Sequence, residues 1–158
     1  MSKLLIKNGR IVDPANDIDK TADLIITNGR VSAIESANSS TADAKTIDAS
    51  GLVVMPGLID CCARLREPGL EYKASIQSET TAAAKAGITT LCCPPDTVPV
   101  IDEPSVVELI NRKTAVSGHS RVVTLGALTS GLHGEHLSEM HSLKMAGCVG
   151  MSNSRNPI

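Results

Sequence analysis

The chain has 158 residues, 42% of them hydrophobic and 20% charged, which is enough apolar material for a packed core and excludes disorder. A net charge of −2 with both signs mixed along the chain excludes an electrostatic nucleic-acid binder. One Tyr with no Phe and no Trp leaves an aliphatic core and no stacking platforms for bases or sugars.

The length suits one full domain, or a small domain with part of a larger one. Met1-Ser2-Lys3 leads straight into a strand-like run, so no signal peptide is expected. No apolar run approaches the ~20 residues of a membrane span. The five cysteines (61, 62, 92, 93 and 148) are odd in number and include two adjacent pairs. That is a poor disulfide framework and fits a reducing cytoplasm, the expected location.

Residues 1–55 read as a β domain. Residues 4–12 predict a strand, a turn at Asn8-Gly9 and a returning strand, and residues 24–34 repeat the pattern around Asn28-Gly29. Asn-Gly suits a type I′ turn because both central residues need positive φ. Residues 36–44 predict a polar loop and residues 45–48 a strand.

From Gly51 the rhythm changes to alternating strands and helices, and residues 56–158 form the second expected domain. The predicted strands are 59–65, 88–93, 121–127 and 148–152. The predicted helices are 72–86, stopped by Gly87, then one opened by Pro104 and ending near Ser117-Gly118, then 134–146 capped by Gly147. Strand–helix alternation with short connections implies right-handed βαβ units on a parallel sheet. Four such units make half of a (β/α)8 barrel, whose usual length is about 250 residues. The expectation is a truncated or proteolysed chain, or one that pairs with another copy, because a half-barrel leaves two open edges.

Several motifs together carry a family resemblance. They are Pro56-Gly57-Leu58-Ile59-Asp60 with Arg66-Glu67-Pro68-Gly69, Ala86-Gly87-Ile88-Thr89-Thr90, Pro95-Asp96-Thr97-Val98-Pro99, and Ala146-Gly147-Cys148-Val149-Gly150-Met151-Ser152. The chain resembles the dihydroorotase family of the amidohydrolase superfamily over essentially its whole length. The resemblance implies an α/β fold: a small N-terminal β-sandwich followed by the first four βα units of the barrel. It also implies the family reaction, reversible closure of N-carbamoyl-aspartate to dihydroorotate, in which zinc activates a water.

Against that pattern the site residues depart together. Cys62 and Arg64 stand where the family has the two zinc-binding histidines of its first strand. A thiolate can bind zinc, but a guanidinium is a permanent cation and cannot. Asp96 replaces the asparagine that helps hold the substrate carboxylate, while Arg66 keeps the family's arginine there. Asn153 and Ser154 fall where the family carries its metal-ligating aspartate. The resemblance therefore implies a substrate-pocket remnant at Arg66 and Asp96, no catalytic residue, a lost zinc site and no cofactor. Arg64 is expected to fill the vacated mouth and pair with Asp60 or Asp96. Arg66 is expected to be buried, with Asp96 as an available anion.

Only one cysteine of each adjacent pair can line a site, so Cys62 could meet Cys92 or Cys93 on a neighbouring strand. Small buried hydrophobes are the expected role for these thiols. His133, His136 and His141 have metal-like spacing but sit at an expected exposed helix start, and His119 sits in a turn.

The expectation for function is a non-enzymatic dihydroorotase homologue that scaffolds the catalytic chains of aspartate transcarbamoylase in pyrimidine synthesis. Self-association or a missing C-terminal half would complete it, and no nucleic-acid or membrane partner is expected. Two alternatives remain. One is a metal-dependent dihydroorotase or related cyclic amidohydrolase completed by a missing half or partner chain. The other is a binding-only sensor of carbamoyl-aspartate or dihydroorotate.

Overall fold

The computed structural model describes residues 2–36 and 43–158, so most of the expected loop at 36–44 lies outside the described residues. The chain divides into two compact units, Met1–Pro56 and Gly57–Ile158.

The first unit is a five-stranded mixed sheet in the order β3-β2-β1-β4, with β5 also pairing with β1. Its strands are β1 (Lys3–Asp13), β2 (Ile18–Thr27), β3 (Arg30–Glu35), β4 (Lys45–Asp48) and β5 (Val53–Val54). Ile11, Ala22 and Leu24 are buried at its centre, with Ile6, Ile26 and Val54 packed around them.

The two Asn-Gly pairs behave differently. Asn28 (φ 51°) and Gly29 (φ 75°) both take positive φ and close the β2–β3 hairpin, as expected of a type I′ turn. Asn8-Gly9 makes no hairpin. β1 runs through it with a register shift between Ile6 and Gly9, and only Asn8 takes positive φ. The physical reason is a buried carboxylate: Asp23 accepts the Asn8 backbone N–H at 2.9 Å and holds the bulge. The chain turns instead at Pro14–Asn16, a single 3-10 turn capped by Asp13.

The second unit is a four-stranded parallel sheet in the order β6-β7-β8-β9. Its strands are β6 (Leu58–Asp60), β7 (Ile88–Cys93), β8 (Arg121–Ala127) and β9 (Gly150–Ser152), and its helices are α1 (Ile76–Lys85), α2 (Pro104–Ser117) and α3 (Met140–Ala146). This is the expected partial barrel. Its core lies between sheet and helices and includes Leu65, Ile76, Leu91, Cys93, Val107, Ile110 and Leu143. Burying an aliphatic side chain of that size contributes about 1.5–3 kcal/mol.

Element ends depart from expectation for local reasons. α1 starts at Ile76 rather than 72, because Ser75 caps it: Ser78 N–H donates to Ser75 Oγ at 3.1 Å, and Ser75 N–H donates to Ser78 Oγ at 3.0 Å. α3 starts at Met140 rather than 134, since residues 130–138 form a 3-10 turn and loops tied to β8 through Ser138. Strand β6 ends at Asp60 rather than 65, because the Asp60 side chain accepts the Cys62 backbone N–H at 2.9 Å and turns the chain. Strand β9 begins at Gly150 rather than 148. Among the described residues no helix is long and apolar enough to cross a membrane.

Candidate functional site

The site forms where the chain leaves the C-terminal ends of β6, β7 and β9, the end of a parallel βα sheet at which function is usually built. Leu65 belongs to the core and Ala63 packs against it, while Arg64 between them turns to Asp96, Ser154 and Cys62. On β7, Leu91 and Cys93 belong to the core, and alternation leaves Cys92 on the opposite face of the sheet.

Arg64 ties the site together. Its Nε donates to Asp96 Oδ2 at 2.8 Å, its Nη2 donates to Ser154 Oγ at 3.3 Å, and its Nη1 reaches Cys62 Sγ at 3.8 Å. The Arg64 and Asp96 side chains are 23% and 28% exposed. The hydrogen bond to Asp96 raises the Arg64 pKa above its ordinary value, against the opposing effect of burial. One guanidinium thus joins Cys62, Asp96 and Ser154, residues far apart in sequence.

Two of the six expected positions behave differently. Asn153 does not join Arg64. It is buried, its Oδ1 accepts the Thr129 backbone N–H at 3.2 Å and the Thr129 hydroxyl at 2.7 Å, and its Nδ2 donates to the Asn156 carbonyl at 3.4 Å. It pins the loops that follow β8 and β9. Arg66, expected to be buried against an anion, is exposed and has positive φ (66°). Its side chain has no hydrogen bond or ion pair among the described residues, and Asp96 pairs with Arg64 instead. Arg64, Arg66, Cys93 and Asp96 still line one cavity, of about 20 Å3. That is room for about one water molecule.

Sequence reasoning missed Glu67. It lies within the Arg66-Glu67-Pro68-Gly69 motif, but nothing local signals a role for it. It is 8% exposed, accepts the Ile76 N–H at the start of α1 at 2.7 Å, and ion-pairs with Lys113 of α2. This carboxylate fastens the loop after Arg64 to two helices.

The cysteines divide into two sets. Cys92, Cys93 and Cys148 are buried, as expected of small hydrophobes, while Cys61 and Cys62 are exposed, contrary to that expectation. Burial pushes the Cys93 thiol up to about 12. Cys92 is also raised, first by burial and then by the charges of Cys61, Cys62 and Asp60. His119, His133, His136 and His141 are all exposed. Among the described residues, no three His, Cys, Asp or Glu side chains converge in a way that could hold a metal ion.

Known proteins match this chain closely. The family model described as dihydro-orotase-like matches residues 51–158. A dihydroorotase of Trichlorobacter lovleyi is 46% identical over 155 residues, covering 98% of this chain and 36% of that protein. A "dihydroorotase-like protein" of Pseudomonas aeruginosa is 47% identical over 148 residues, covering 94% of this chain and 35% of its own length. Among solved structures, the L-hydantoinase (dihydropyrimidinase) of Arthrobacter aurescens matches with a TM-score of 0.81 at 26% identity, over 96% of this chain and 32% of that one. The chain spans about a third of the length of the curated relatives it matches. On the strength of the model match across its barrel strands, the chain belongs to the dihydro-orotase-like family.

Proposed function

We propose that this chain is a dihydroorotase-like protein without the family's zinc chemistry, acting as an assembly subunit for aspartate transcarbamoylase. The observation that carries the first half is the position of Arg64. The donor set at the barrel mouth does not fit zinc: it offers a permanently charged guanidinium, the Ser154 hydroxyl and an Asn153 amide already committed to Thr129. Arg64 supplies the positive charge at this point itself and satisfies Asp96, which would otherwise be a partly buried carboxylate without a partner. No residue here is assigned a catalytic step.

The partner follows from the family resemblance, and a cytoplasmic setting follows with it. The test is co-purification of the full-length protein with the catalytic chain of aspartate transcarbamoylase, and assay of the transcarbamoylase with and without it. The expected result is a stable complex, with transcarbamoylase assembly or activity lost on omission. If transcarbamoylase assembles and works equally well alone, the scaffold role fails.

Two other readings each have one supporting observation. Relatives named dihydroorotase at 45–46% identity favour an enzyme whose metal site is completed by further residues. Stoichiometric zinc, with turnover lost on chelation, would establish it. The Arg66 side chain, without a partner among the described residues, favours a binding-only role towards a carboxylate, which the small cavity beside it opposes. Calorimetry with carbamoyl-aspartate and dihydroorotate decides, since absence of heat with both ligands removes a sensor.

A further inference from the structure

We propose that Asn28 is a spontaneous modification site, at which the fold leaves the side-chain amide open to deamidation through the backbone nitrogen of Gly29, with water as the co-reactant. The chain carries the same tripeptide twice, as Asn8-Gly9-Arg10 and Asn28-Gly29-Arg30. Local chemistry therefore does not separate the two positions. The fold does.

Asn28 and Gly29 form the turn between β2 and β3, and both are exposed. Among the described residues, neither the Asn28 side chain nor the Gly29 N–H has a hydrogen-bond partner. A Cβ at Gly29 would meet no described atom within 4 Å, so the attacking nitrogen has room around it. The first pair is held on all sides. The Asn8 N–H donates to Asp23 at 2.9 Å, and its Nδ2 donates to Asp48 Oδ1 at 3.4 Å. Gly9 is buried and paired with Ala22, and a Cβ there would come within 2.5 Å of Val54 and 3.2 Å of Ala49. The remaining described asparagines are worse placed. Asn16 donates its amide to Asp13 at 2.6 Å, Asn111 lies inside α2, and Asn153 is buried against Thr129. Asn156 precedes Pro157, whose nitrogen carries no proton to lose.

The step balances without an oxidant or reductant. The Gly29 nitrogen, its proton passing to solvent, attacks Asn28 Cγ. A C–N bond forms, the bond from Cγ to the side-chain nitrogen breaks, and ammonia leaves with a proton from solvent. Water then opens the cyclic imide. Opening at Cγ gives an aspartyl residue, and opening at the backbone carbonyl gives an isoaspartyl residue with a methylene added to the main chain. Either product places a carboxylate in the turn beside β3, the outermost strand of its sheet. Because the nucleophile is a deprotonated amide, the rate rises with pH.

The experiment incubates the full-length protein in mildly alkaline buffer, folded and in guanidinium chloride, and follows both peptides by mass spectrometry. In the folded protein, Asn28 should react about tenfold or more ahead of Asn8, the factor that about 1.4 kcal/mol of local opening imposes. In denaturant the two rates should converge, since the tripeptides are identical. Comparable rates in the folded protein, Asn8 reacting first, or both amides intact after the unfolded chain has reacted would each overturn the proposal. The readout is a covalent map, so its failure is distinct from failure of the transcarbamoylase assignment.

Discussion

Arg64 has three polar contacts, and their strengths differ. The Asp96 contact is a charge-assisted bond at 2.8 Å between partly buried groups, whereas the Ser154 and Cys62 contacts are longer. A double-mutant cycle of Arg64→Ala and Asp96→Ala, read by denaturant unfolding, should give a coupling of about 1–2 kcal/mol, between values for exposed and buried pairs. Coupling near zero would mean that the pair is decoration. A second residue carries a pH dependence. The Asp48 carboxyl is held below its ordinary range by hydrogen bonds from the Ser50 side chain, then the Ser50 backbone, then Asn8. A carboxyl that binds its proton more weakly when folded contributes fully above its unfolded pKa, and that contribution is lost as pH falls through the lower folded value. Asp48→Asn should therefore lower stability at pH 7 and flatten its fall below about pH 4, as thermal melts across the acid range would show.

At the scale of elements, the loop after Arg64 is held by close contacts as well as charge. Gly69 sits at φ +101°, and a Cβ there would come within 2.3 Å of the Val98 carbonyl oxygen. The Val98 N–H in turn donates to the Pro68 carbonyl at 3.2 Å, so the loops after β6 and β7 are locked backbone to backbone. Gly69→Ala should cost about 1–3 kcal/mol, because neither the backbone angle nor the carbonyl can yield cheaply. An unchanged melting temperature would show that these loops separate freely. Loop fixation also places Asp96 within reach of Arg64, which links this element-level contact to the site. Helix ends tell a related story: Ser75 and Glu67 together satisfy the first turn of α1, so the helix begins where its caps are and not where its alanine-rich composition begins.

For the whole molecule, the family assignment and the site chemistry pull apart, and metal content is the measurement at that scale. Purified protein should carry zinc well below one equivalent, and chelation should leave its melting temperature unchanged, because Arg64 already supplies the charge that a metal would. Stoichiometric zinc that raises the melting temperature would reverse the assignment. Much of this was legible in the sequence alone. Strand–helix alternation, Pro104 at the start of α2 and the Asn28-Gly29 hairpin follow from local propensity, whereas Cys62, Arg64, Asp96 and Ser154 stand out only against the pattern of the family that the chain resembles. Only the tertiary structure decided which anion Arg64 takes, that Arg66 faces solvent, that Asn153 pins a loop, and that Glu67 spans two helices. The contacts behind these outcomes join residues from 9 (Glu67–Ile76) to 90 (Arg64–Ser154) positions apart, set by strand register and loop closure, and local sequence patterns carry no signal for them.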